Sequence, residues 1–167
     1  MAKSFVIGPT DTVIAGNSGP AEVNTNLNFA DDFRIVSSQA GEVIATNVTC
    51  PVDQPETLRF SQRRIANVYN GTDIDQSAFL PTRDGTATLI ELRQRWIEVD
   101  SEDSTYRKAV PVKAAITLTV PSYGNVSAAQ VQDLVYRAFS ALFYTGTPGP
   151  EGIADLLHGV LARPDLR

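Results

Sequence analysis

Polar and apolar residues alternate with a period of two along three long stretches in the middle of the chain. From Thr57 to Tyr69, Leu58, Phe60, Ala66 and Val68 fall on one side, and Arg59, Ser61, Arg63 and Asn67 on the other. From Ala87 to Val99, Ile90, Leu92 and Trp96 oppose Glu91, Arg93 and Arg95. From Tyr106 to Val120, Val110, Val112, Ala114, Ile116, Leu118 and Val120 oppose Arg107, Lys113, Thr117 and Thr119. Side chains alternate across a strand, so this pattern predicts antiparallel strands with one buried and one solvated face. Ahead of them, from Phe5 to about Thr49, short apolar runs are broken by turn signals such as Gly8-Pro9, Gly19-Pro20 and Gly41. These runs predict short strands or hairpins at Val13-Ile14, Leu27 and Phe29, Phe33 to Val36, and Val43 to Val48. Asn70 to Gly85 reads as a long polar loop, and Asp100 to Thr105 as a short acidic one.

After Pro121 the period changes. Ser127 followed by Gln130 is a capping-box signature. Val131, Leu134, Val135, Ala138 and Leu142 then recur at helical spacing, which predicts an amphipathic helix. The run Gly146 to Pro150 breaks the chain. A second helix is predicted from Glu151, with a stripe of Ile153, Leu156, Leu157, Val160 and Leu161, ended by Pro164. Two amphipathic helices after a sheet with one greasy face give a two-layer α+β arrangement. A chain of 167 residues fits one domain. Its parts are 1–56 (hairpin and short strands), 57–120 (long strands) and 127–162 (two helices).

Composition supports a packed fold rather than disorder, with 43% hydrophobic and 20% charged residues. The start of the chain has no basic segment followed by a long apolar run, and no window is apolar enough to cross a membrane. The expectation is a soluble protein made in the cytosol, with no membrane partner. Its Asn-x-Ser/Thr triplets at Asn47, Asn70 and Asn125 then carry no glycan. Cys50 is the single cysteine, so a disulfide would have to join two chains.

An enzyme reading finds no support residue by residue. The one histidine, His158, lies on the polar side of the last helix. There is no nucleophile elbow, phosphate loop or Cys/His cluster, and no cofactor or metal is expected. Glu98, Asp100, Glu102 and Asp103 lack the glycine and spacing of a calcium loop. The net charge of −5 weighs against nucleic acid, but its distribution does not. Within the long strands, Arg59, Arg63, Arg64, Arg93, Arg95, Arg107, Lys108 and Lys113 outnumber Glu91 and Glu98. Arginines and a lysine alternate with Ser61, Thr117 and Thr119, residue types that meet phosphates and sugar hydroxyls. Cross-strand ion pairing is the other use of the same residues.

The C-terminal third carries a resemblance. The string Ala115 to Pro121 (AITLTVP), a short polar loop, the helix SAAQVQDLVYRAFSALF (127–143), the break TGTPGP (145–150) and a short closing helix resemble the end of single-stranded RNA bacteriophage coat proteins. The similarity covers about Thr57 to Leu161 in architecture and is tightest over 115–157. It implies an N-terminal β-hairpin, a five-stranded antiparallel sheet, and two C-terminal α-helices that cover the sheet of a partner subunit. It implies a homodimer that builds an icosahedral shell, located in the virion and made in the bacterial host cytoplasm. Genomic single-stranded RNA would lie on the inner sheet face, where in this family a bound hairpin represses replicase translation. Carried over by position, the RNA-binding residues would be Arg59, Ser61, Arg63, Arg93, Arg95, Lys113, Thr117 and Thr119, with Ala115 also facing inward. Lys113 stands where well-known relatives have a stacking tyrosine, and Ala115 where they often have asparagine. General phosphate binding therefore carries over more directly than the familiar hairpin geometry. Two other readings stay open: a cellular dimeric β-sheet RNA-binding protein without a shell, and a viral structural protein that does not touch RNA.

Overall fold

The computed structural model describes residues 3–6 and 27–140. The chain divides into two compact units, Met1–Val120 and Pro121–Arg167. The break falls where the sequence changes period.

The first unit is built on one antiparallel sheet. Its strands are β1 (Lys3–Val6), β2 (Phe33–Gln39), β3 (Glu42–Asn47), β4 (Thr57–Ile65), β5 (Gly85–Asp100) and β6 (Arg107–Pro121). Strands β2 to β5 form a meander in which each pairs with the next, and β6 pairs with β5. This is the expected five-stranded α+β sheet. The sixth strand is β1, which runs antiparallel to the end of β5 with Phe5 opposite Glu98. Of the expected N-terminal hairpin, β1 alone falls among the described residues; Val13-Ile14 and the helix carrying His158 lie outside them.

Register settles which residues share a face. Leu58 lies opposite Leu92 and Ala45, and Phe60 opposite Ile90 and Val43. Phe33, Ala45 and Leu58, with Phe60, Ile90 and Leu92 packed against them, form the core on one side of the sheet, and Ala45 is completely buried. Phe29 closes this core, stacked on Phe33 at 5.7 Å and edge-on to Phe60 at 5.8 Å between ring centroids. Phe29 was expected in a strand but sits in a one-turn helix, α1 (Phe29–Asp32). Asn28 explains the difference: its side chain accepts from the Asp31 N–H and caps that turn. The β2–β3 turn needs Gly41, whose φ is +80° and whose place leaves no room for a Cβ beside the Gln62 carbonyl.

The alternation in 57–69 runs past the strand it predicts. Strand β4 stops at Ile65, because the Asn67 side chain accepts from the Tyr69 N–H and the Val68 N–H turns to the Arg83 carbonyl. The loop that follows has its own packing. Tyr69 stacks on Phe79 with centroids 4.0 Å apart, and Asp75 caps a 3₁₀ turn over Gln76–Ala78.

In the second unit the described helix is α2 (Ala128–Ser140). Its capping box is formed as the sequence predicts: the Ser127 N–H donates to Gln130 Oε1 at 2.9 Å, and the Gln130 N–H donates to Ser127 Oγ at 3.3 Å. Val131 and Val135 are half-buried along its stripe, whereas Leu134 is 62% exposed.

Candidate nucleic-acid interface

The face of the sheet opposite the core gathers the residues singled out in the sequence. Pairing of β4 with β5 sets Arg59 opposite Glu91, Ser61 opposite Leu89, Arg63 opposite Ala87 and Thr57 opposite Arg93. Arg95 follows Arg93 by two residues and shares its side. Strand β6 brings its odd-numbered residues to the same face. Thr117 lines a shallow depression with Ser61, Arg63, Ala87 and Leu89, and the charge of Lys113 bears on Glu91. Lys113, Thr117 and Thr119 are exposed, while Val112, Ile116, Leu118 and Val120 are half-buried. Ala115 has the parity of Lys113 and Thr117 and is likewise exposed.

Two acids interrupt the middle of this basic surface, and at the start of β6 Arg107 pairs with Asp53 at 2.8 Å. Glu91 is 4% exposed and lies beneath two guanidiniums, bonding Arg93 Nε and standing 3.6 Å from Arg59 Nη1. Glu42 bonds Arg59 Nε from the other side. Of the two strand acids counted in the sequence, only Glu91 is on this face; Glu98 has the other parity and accepts a bond from the Tyr106 hydroxyl at 2.9 Å. Glu42 escapes a reading of the long strands because it belongs to β3, and only the register that sets it opposite Ser61 places it beside Arg59. The alternation of Glu42, Ile44 and Thr46 against Val43, Ala45 and Asn47 is the signal that could have found it. Arg34 was also passed over. Opposite Thr46, it has this face's parity, and its guanidinium donates to the carbonyls of Asp31 and Phe33.

The hydrogen bond from Arg93 holds the Glu91 carboxyl below the usual carboxylate range. Burial opposes this, and the charges of Arg93, Lys113 and Arg59 add to the lowering. Glu91 is therefore anionic at neutral pH, and what it stabilises in the folded chain is lost only as pH falls through its depressed value. Arg63, Arg95 and Lys113 make no ion pair among the described residues. Arg64 has the opposite parity. Its exposed side chain pairs with Asp84 at 2.9 Å, so its role is a surface ion pair rather than packing.

Nothing else among the described residues competes as a site. No group of histidine, cysteine or acidic residues there could hold a metal ion. Two carboxylates of the 100–105 loop turn onto its backbone, Asp100 to the Glu102 N–H and Asp103 to the Thr105 N–H. No described helix is long and apolar enough to cross a membrane.

No family model matches the sequence, and the search of curated proteins finds no match. Solved structures do match. The chain is similar to one in a virus-like particle of bacteriophage AVE015, with a TM-score of 0.74 and 24% identity over 94% of this chain and 100% of that one. It is also similar to one in a virus-like particle of bacteriophage GQ-112, with a TM-score of 0.64 and 18% identity over 89% and 96% of the two chains. A third, from a virus-like particle of Wenzhou levi-like virus 4, gives a TM-score of 0.51 and 17% identity over 81% and 84%. The chain has the fold of these virus-like-particle chains, and the described residues form the α+β arrangement that the resemblance in the sequence implies.

Proposed function

We propose that this chain is the coat protein of a single-stranded RNA bacteriophage: a structural, non-catalytic subunit that dimerises, closes into a shell and holds RNA on the inner face of its sheet. One observation carries the reading. The match to a virus-like-particle chain runs over 94% of this chain and all of that one, so the whole subunit architecture is shared and not one motif. Two features of the chain agree with it. Helix α2 leaves Leu134 of its apolar stripe exposed in the single chain, as a helix that packs on a partner subunit would. The sheet face opposite the core gathers cations beside Ser61, Thr117 and Thr119, suited to phosphate and sugar contacts. Residues 1–167 then act as one coat domain in the virion, made in the bacterial cytoplasm. Repression of the replicase message through an RNA hairpin is the finer role, with Lys113 and Ala115 altering the familiar recognition geometry.

Expressed alone in bacteria, the full-length chain is expected to form closed particles that contain host RNA. Size-exclusion chromatography with negative-stain microscopy and the ultraviolet absorbance ratio checks this. A small RNA-bound dimer would instead favour a shell-less RNA-binding protein, and an RNA-free polymer a structural protein of another kind.

A further inference from the structure

The arginines of the RNA face are not equivalent, and the difference lies in two carboxylates. Arg59 is held from both sides, by Glu42 and by Glu91. Arg93 is held by Glu91, which is itself almost fully covered. A carboxylate this close offsets the charge an arginine can offer a phosphate, even where it meets Nε alone, as on Arg93, and leaves the outer guanidinium nitrogens open. Glu91 itself is covered, mid-strand on β5, within reach of both guanidiniums. Arg63 and Arg95 lie on either side of this knot. Arg63 is opposite Ala87, and Arg95 is eight residues further along β5, roughly 26 Å at the usual rise of a strand. Lys113, on β6, is a third cation that makes no ion pair among the described residues, although its charge also bears on Glu91.

We propose that Glu42 and Glu91 are built-in anions that neutralise Arg59 and Arg93, so that RNA phosphates are held at the flanks by Arg63, Arg95 and Lys113. The inference rests on the reading of this face as the RNA surface, and it assigns the face a partly neutralised charge. The subunit has a phosphate-binding capacity smaller than its arginine count, and its RNA affinity is set by the two glutamates as much as by the cations. Each phosphate neutralised on single-stranded RNA contributes about 0.7 to the slope of log affinity against log salt. Releasing Arg93 therefore adds about one such increment.

The test measures binding of a short fluorescent single-stranded RNA to the full-length chain over a salt series, below the concentration at which it assembles. Glu91→Gln is expected to tighten binding and steepen the slope by about 0.7. Asp84→Asn removes the same charge but belongs to the pair with Arg64, off this face, and is expected to leave both as in the wild type. The decisive comparison is a double-mutant cycle. Arg93→Ala has little effect while Glu91 is present and flattens the slope by about 0.7 once Glu91 is glutamine. If Glu91→Gln does not fold, Glu42→Gln takes its place, with Arg59→Ala as its partner in the cycle. Glu91→Gln indistinguishable from Asp84→Asn, or an additive cycle, overturns the inference. Arg63→Ala and Lys113→Ala separate this failure from that of the reading beneath it. If they flatten the slope the face binds RNA whatever the glutamates do, and if they leave it unchanged both ideas fall.

Discussion

Glu56→Ala is expected to destabilise the subunit by about 3–5 kcal/mol. Glu56 is 1% exposed and stands immediately before β4. Its carboxylate accepts from Asn47 Nδ2 at 2.7 Å and from Gln94 Nε2 at 2.5 Å. Asn47 in turn accepts from the Thr49 N–H and hydroxyl, and Gln94 accepts from the Trp96 indole at 2.8 Å. One side chain thus ties the ends of β3 and β4 to the middle of β5. Alanine leaves two amide donors without their acceptor and opens a void beneath them. Each orphaned donor costs about 1–3 kcal/mol, and the void adds to that. Glu56→Gln keeps the shape but turns one N–H₂ toward a donor, so a smaller loss of about 1–2 kcal/mol is expected. Unfolding midpoints at one fixed protein concentration measure both, since assembly also stabilises the subunit. A loss below 1 kcal/mol for Glu56→Ala would show that the network is not what joins these strands.

The second large effect is on association. Leu134 is 62% exposed on a helix whose neighbouring stripe positions, Val131 and Val135, are half-buried. If α2 packs on a partner subunit, as the proposed function requires, Leu134 is covered in the dimer. Burying a leucine contributes about 1.5–3 kcal/mol, and an aspartate there adds the cost of an unpaired charge. Leu134→Asp is expected to raise the dimer dissociation constant by about 100-fold or more and to abolish particles. Helix content should stay unchanged, because the capping box of Ser127 and Gln130 is untouched. Sedimentation velocity over a dilution series gives the constant, and circular dichroism checks the helix. A variant that dimerises and assembles like the wild type would remove α2 from the subunit interface.

Much of this could be read from the sequence because it is local. A period of two sorts Leu58 and Phe60 from Arg59, Ser61 and Arg63 without knowledge of any partner strand. Ser127 and Gln130 cap a helix through atoms three residues apart. What stayed hidden depends on register or on a single polar side chain. Glu42 and Arg59 are separated by 17 positions, and only the β3–β4 pairing makes them neighbours. Phe29 has the apolar character of a strand residue, but Asn28 before it supplies a cap that turns the chain. Nothing near Glu56 in the sequence says that Asn47 and Gln94 will enclose it. The candidate face was legible as a set of cations and illegible as a balance of charge.

The measurement that tests the central claim most directly is a reconstruction by cryo-electron microscopy of particles formed by the full-length chain. In it, Ser61, Arg63, Arg95, Lys113 and Thr117 are expected to line the interior against RNA density, with Leu58, Phe60 and Ile90 turned away under helices of a partner subunit. A shell with the Arg63 and Lys113 face outward, or a chain that stays dimeric at every protein and salt concentration, would contradict the account.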